Sequence, residues 1–127
     1  MRTPPANSRF AVTNPEFRGQ IIDYRQFVLE TLSRAAPAYV VHPTVMPAWD
    51  NTPRRQVGGK IYKDATPDKY GAWLTEVIRR QLQQPCEDHI VFVNAWNEWA
   101  EGNYLEPDRI DGRARLEAVA ASVLGRG

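Results

Sequence analysis

Glu98 and Glu101 stand three residues apart in the stretch Asn94-Ala95-Trp96-Asn97-Glu98-Trp99-Ala100-Glu101-Gly102-Asn103, among two tryptophans and three asparagines. Paired carboxylates are what glycosyl chemistry requires. One gives a proton to a leaving oxygen, and the other takes a proton or bears on the positive charge that develops. Indole faces stack on the C–H face of a sugar ring, and amides donate to and accept from its hydroxyls. Trp96, Trp99, Asn94, Asn97 and Asn103 are therefore candidate substrate contacts beside the two catalytic candidates. The same spacing has a plainer meaning. On a helix it puts both glutamates on one solvated face, and in a strand it puts them on opposite faces.

Other candidates lie on either side. Trp49 can floor a sugar subsite and Asp50 can bind a hydroxyl, although Asp50-Asn51-Thr52-Pro53 is also ordinary turn chemistry. Arg54 and Arg55 suit a phosphate or a solvated loop face. Glu106 can join the site or close it by bonding a loop amide. His42 and His89 are isolated and lack the spacing of zinc ligands. The single cysteine, Cys86, has no partner for an internal disulfide and reads as a packing residue.

These residues need elements to hold them. Residues 1–22, with Pro4, Pro5, Pro15 and Gly19, read as an irregular segment with a short strand near Phe10 to Val12. Asp23 offers a cap to a helix carrying Tyr24, Phe27, Val28, Thr31, Leu32 and Ala35, which Pro37 stops. Ala38 to Val41 is a strand candidate. Residues 42–66 read as one long loop of the kind that carries function. Thr66-Pro67 opens the clearest helix, with Tyr70, Trp73, Leu74, Val77, Ile78 and Leu82 as its apolar stripe and Tyr70 and Trp73 as core. His89 to Ala95 is apolar on both faces, which predicts a buried parallel strand. A loop from Trp96 to Gly112 leads to a last helix presenting Leu116, Val119, Ala120, Val123 and Leu124, closed by Gly125. Helices alternating with strands predict a parallel α/β fold, and such folds gather function beyond the C-terminal ends of their strands. The stretch with the two glutamates falls there.

The 127 residues carry 43% hydrophobic and 24% charged residues and a net charge of +1, a globular balance. It leaves no electrostatic footprint for nucleic acid or an anionic membrane. No apolar run reaches the ~18 to 20 residues of a membrane span, and Met1 to Pro5 is no signal peptide core. With the lone cysteine this sets the expectation of a cytoplasmic protein.

The residues Trp49-Asp50-Asn51-Thr52-Pro53-Arg54 and Asn94 to Gly102, continued by Asn103-Tyr104-Leu105-Glu106-Pro107-Asp108, resemble the WbsX-type family. That family is described as glycosyltransferases of bacterial polysaccharide assembly and grouped with glycoside hydrolase family 99-like domains. The resemblance runs from about Asp23 to Val119. It implies the C-terminal part of a (β/α)₈ barrel, with residues 23–127 supplying the last two or three β/α units. Such barrels take ~250 residues, so a missing N-terminal half or self-association enters as an expected partner, beside a glycan or sugar donor and acceptor. The hydrolases of family 99 carry two glutamates at this spacing. Carried over, Glu98 is the base that deprotonates the sugar 2-hydroxyl, and Glu101 is the acid for the leaving oxygen and then the base for the acceptor. The resemblance implies no metal and no cofactor. No Gly-rich phosphate loop appears in the chain. Ala48 and Arg115 depart from the family pattern, which leads one to expect glycine and an aromatic. A non-catalytic glycan-binding or remnant module is the competing expectation.

Overall fold

Asp23 and Thr66 each precede an apolar run at helical spacing, and each caps the helix that follows. In a computed structural model, which describes residues 5–125, the Asp23 side chain accepts from the Gln26 N–H to open α1 (Tyr24–Leu32). The Thr66 side chain accepts from the Lys69 N–H to open α3 (Pro67–Gln81), with Pro67 in its first turn. The last helix, α4 (Ala114–Leu124), ends at Gly125 in the left-handed conformation.

The strands fall elsewhere than the sequence predicts. No strand forms at Phe10 to Val12 or at Ala38 to Val41. Instead β1 is Gln20–Asp23, β2 is Thr44–Val45, and β3 is Lys60–Lys63. The supposed loop of 42–66 thus holds two strands and the single helical turn α2 (Thr52–Arg55). Pairing decides this rather than propensity: Val40 and Val41 are exposed and meet no strand, whereas Val45 is fully buried and pairs with Val93. β4 shrinks to Phe92–Val93, and the hairpin strands β5 (Asn97–Glu98) and β6 (Asn103–Tyr104) follow.

β1 and β3 run parallel from Gln20 opposite Lys60 to Asp23 opposite Lys63, and each leads into a helix. β2 and β4 also run parallel, separated in sequence by α3. The order β1–α1–β2–α2–β3–α3–β4, with α4 following the β5–β6 hairpin, is the alternation of a parallel α/β protein. The strands make three two-stranded sheets, and among the described residues they close no barrel.

The core gathers Tyr24 and Val28 of α1, Val45, Leu105, and Tyr70, Trp73, Leu74 and Val77 of α3. Tyr24 and Phe27 meet Trp73 edge to face at 6.0 Å and 5.7 Å, and Tyr62 in turn meets Phe27 edge to face at 4.8 Å. The Tyr24 hydroxyl donates to the Met46 carbonyl at 2.7 Å, which ties α1 to the chain leaving β2. Burial pushes the Tyr24 phenol far above its ordinary range, so it serves as a neutral donor.

α4 meets α3 through small residues. Gly71 faces Ala118, and Thr75 donates to Ser122 at 2.9 Å. The apolar stripe read for α4 is not the buried face: Ser122 is buried, whereas Ala120, Val123 and Leu124 are exposed and only Leu116 and Val119 touch the core. β4 is likewise open, with Phe92 55% exposed, against the buried strand that the sequence predicts. The whole surface is 8606 Å², where a monomer of this mass shows about 6,900 Å². Among the described residues, none covers Phe92 on the open face of β4.

A Cβ built on Gly71 lies 3.2 Å from the Ala118 Cβ. Gly71→Val adds two further methyls to that seam and lowers stability by about 1 to 3 kcal/mol. Urea unfolding measures this, and an unchanged midpoint would mean that α3 and α4 do not meet there.

Candidate active site

β2 and β4 lie side by side and parallel, so the segments leaving them emerge at one end. The first segment, after β2, turns back onto β3. The Trp49 carbonyl accepts from the Tyr62 N–H at 2.8 Å, and the Asn51 side chain accepts from the Lys60 N–H at 2.6 Å. Asp50 Oδ1 accepts both the Thr52 N–H, at 2.9 Å, and its hydroxyl, at 2.6 Å. Asp50 is therefore engaged in the turn chemistry that its neighbours favour.

The second segment is the β5–β6 hairpin, in which Glu98 stands opposite Asn103. Trp99–Glu101 form a 3₁₀ turn between the strands, and Gly102 reverses the chain at φ +56°. The two glutamates thus sit on a strand and on a turn. Neither the single helical face nor simple strand alternation describes them.

The segments are joined at Glu101. The Asp50 N–H donates to the Glu101 carbonyl at 2.7 Å. A Cβ on Gly102 would come within 3.2 Å of the Asp50 N and O, so the close approach requires glycine for space as well as for its φ. The Arg54 guanidinium makes an ion pair with Glu101 Oε1; the Glu101 side chain is 13% exposed and that of Arg54 60%. Glu98 is exposed, and its carboxylate has no partner among the described residues.

The flanking indoles differ. Trp99 stacks on Tyr104 with centroids 3.8 Å apart and planes 14° apart, and its N–H donates to Glu106 Oε2 at 2.6 Å. Glu106 thus fixes an indole rather than a loop amide. Trp96 receives the Leu105 N–H on its carbonyl at 2.8 Å and leaves its ring open to solvent. Asn94 and Asn97 are also exposed. Asn103 points the other way: it is wholly buried, and neither polar atom of its amide has a partner among the described residues. The Trp49 indole N–H is buried and unpartnered as well. Of the residues predicted for the site, Asn94, Trp96, Asn97, Glu98 and Trp99 are thus exposed, Glu101 is held by Arg54, Asp50 by its own turn and Glu106 by Trp99, while Trp49 and Asn103 keep buried polar atoms without partners.

A supporting cluster of four residues escapes the sequence reading. The Tyr104 hydroxyl donates to Asp108 Oδ2 at 2.9 Å, and Arg115 lies over the Tyr104 ring at 5.5 Å. Arg115 also pairs with Asp108 at 3.1 Å and Asp111 at 2.6 Å. Burial works against the Asp108 charge. The N–H groups of Asp111 and Ile110, the Tyr104 hydroxyl and the Arg115 charge outweigh it and hold the carboxyl below its ordinary range. The sequence signals were the presence of Tyr104 and Asp108 in the resembling stretch and the departure at Arg115, whose aspartates stand four and seven residues before it. Remote from these contacts, His89 and His42 bond Gln81 at the end of α3 through their ring nitrogens, at 2.8 Å and 3.5 Å.

The model of a family described as "Glycosyltransferase WbsX" matches residues 2–119, nearly the whole chain. Two relatives, each named "Uncharacterized protein WxcX" and each from a strain of Xanthomonas campestris pv. campestris, are 42% identical over 121 residues. The match takes in 94% of this chain but 17% of theirs, so the chain spans about a sixth of the length of the curated relatives it matches. No solved structure matches the chain.

The Asp108 contacts make a pH prediction. Its lowered folded pKa gives stability that is complete above the unfolded value of ~3.9 and is lost as pH falls through the folded value. The stability difference between the parent and Asp108→Asn should therefore hold near neutrality and shrink on acidification below about pH 4. Urea midpoints taken across that window check it. A difference that stays constant would show that the charge of Asp108 is not what Arg115 and Tyr104 hold.

Proposed function

Because the chain belongs to the WbsX glycosyltransferase family, we propose that it is the C-terminal portion of a (β/α)₈ barrel, family 99-like in plan, that acts on glycosidic bonds during synthesis of bacterial surface polysaccharide. Transfer to an acceptor, as in O-antigen or exopolysaccharide assembly, is the reaction the family description favours. Hydrolysis is the same chemistry with water as acceptor.

The observation that carries this reading is the carboxylate hairpin. Glu98 has an unpartnered carboxylate, Glu101 keeps Oε2 without a partner while Oε1 holds Arg54, and the rings of Trp96 and Trp99 in the same stretch are partly open to solvent. Glu98 takes the proton of the sugar 2-hydroxyl. The freed oxygen attacks the anomeric carbon of the same sugar, and Glu101 gives a proton to the departing oxygen. An epoxide-like intermediate results. Glu101, now a carboxylate, takes the proton of the acceptor hydroxyl, whose oxygen opens the epoxide. Glu98 then returns its proton to O2, so every proton is accounted for. Trp96, Trp99 and Trp49 floor the sugar, and Asn94, Asn97 and Asp50 meet its hydroxyls. Glu106 acts from beneath by holding the Trp99 indole, and the unpartnered Asn103 amide is a further group for a hydroxyl.

The open β4 and the outward face of α4 favour a second reading for the isolated segment, a glycan-binding or remnant module whose barrel is completed by further chain or by another copy. The two readings part on turnover. In assays of the chain, alone and joined to the remaining segments of a full-length relative, Glu98→Gln and Glu101→Gln should each lower kcat by about 10²- to 10⁴-fold. Full activity in Glu101→Gln refutes the catalytic assignment. Glycan binding that survives both changes, with no turnover in the parent, supports the module.

A further inference from the structure

Arg54 and Glu101 approach each other from two segments whose backbones are already fixed. The Asn51 carbonyl accepts the Arg54 N–H at 3.1 Å and the Arg55 N–H at 2.8 Å. The Asn51 side chain is tied to Lys60, and the Asp50 N–H to the Glu101 carbonyl. Neither main chain depends on the ion pair to keep its place. The two side chains are joined by a single contact, from Arg54 Nη2 to Glu101 Oε1. The other N–H donors of the guanidinium have no partner among the described residues. The Arg54 side chain is 60% exposed and that of Glu101 13%, so the arginine is the half of the pair that solvent and ligands reach. An exposed, one-contact pair of this kind is worth little and is readily exchanged. Yet it stands in the way of chemistry. The reaction above asks Glu101 for a proton, and a carboxylate that answers a guanidinium has none to give.

We infer that Arg54 is a specificity-determining residue for an acidic sugar, whose carboxylate takes the guanidinium from Glu101 and so frees Glu101 for its proton transfer. The guanidinium fork matches the two oxygens of a carboxylate with two parallel N–H donors. In the free chain the carboxylate it meets is the protein's own, through one oxygen. A ligand carboxylate offers it two and costs only that exposed contact. A neutral sugar presents hydroxyls alone, which compete poorly with a carboxylate for a cation. Since the backbone at Arg54 is held by Asn51, the side chain can turn to the ligand without moving the hairpin. Glu101 then takes up a proton from solvent. The inference rests on the glycosidic reading above and adds to it the kind of sugar.

Calorimetric titration of the 127-residue chain tests this. The probes are oligosaccharides of glucuronic, galacturonic and mannuronic acid, each beside its carboxyl-reduced counterpart. At least one acid form should bind about tenfold or more tightly than its reduced form. Arg54→Gln should remove that preference and leave binding of the reduced form as it is, while Arg54→Lys should keep part of it. Urea midpoints check that both variants fold, as substitutions of an exposed side chain should. Glu101→Gln has the opposite sign. With the internal competitor neutralised, the acid form should bind about two- to fivefold more tightly. That gain should vanish when Arg54→Gln is added, whereas simple relief of repulsion would persist. Equal binding of acid and reduced forms overturns the proposal, as does no saturable binding of any acid form or a preference that Arg54→Gln leaves intact. Glutamate-dependent turnover of neutral glycans with no acid preference removes this inference alone. An Arg54-dependent acid preference with turnover indifferent to Glu98 and Glu101 removes the carboxylate chemistry and leaves Arg54 its selectivity.

Discussion

One backbone hydrogen bond joins the two halves of the site: the Asp50 N–H to the Glu101 carbonyl at 2.7 Å. Everything functional hangs on loops, and loops hold position only where their backbone groups are paired. This bond couples the segment leaving β2 to the segment leaving β4, just where the parallel pairing of those strands has ended. Gly102 makes it attainable, since any side chain there would push Asp50 away. Arg54 adds an ion pair across the same gap. That pair is largely exposed on the arginine side, so its worth is small.

Behind the hairpin stands a second anchor of different character. Tyr104, Asp108, Asp111 and Arg115 tie the hairpin to the first turn of α4, with Arg115 11% and Asp108 7% exposed at the side chain. Removing charges from water is costly, and it is tolerated here because each carboxylate oxygen of Asp108 has donors. Trp99 then lies on Tyr104 and gives its N–H to Glu106. The indole beside the glutamates is fixed through a chain of contacts that starts in a helix and ends at the surface. Pre-organisation of this kind is what a site needs if its groups are not to lose their geometry with each ligand.

The helices were legible in the sequence because their signals are local. A cap, an apolar stripe and a proline or glycine stop lie within one segment, and Asp23, Thr66 and Gly125 act as such signals should. The strands were legible only in part. Lys60–Lys63 became a strand because Gln20–Asp23 lies beside it, and no pattern inside either tetrapeptide announces the other. The placement of Glu98 and Glu101 beyond a parallel strand followed from the alternation of elements and agrees with the structure. What the spacing could not give was their backbone, a strand followed by a 3₁₀ turn. The anchor at Arg115 was read only as a departure from pattern, since its meaning depends on the Tyr104 ring and two aspartates that fold back onto it.

The mismatch at β4 carries information of its own. A run apolar on both faces is what a strand between two layers requires, yet Phe92 stands open here and α4 turns Val123 and Leu124 outward. The hairpin does not share this deficit. Its bonds to Asp50, Arg54 and α4 all lie within the described chain, and none runs through the open face of β4. Holding the carboxylates and covering the strand are therefore separate physical problems. The described residues solve the first with their own polar contacts and leave the second open at Phe92.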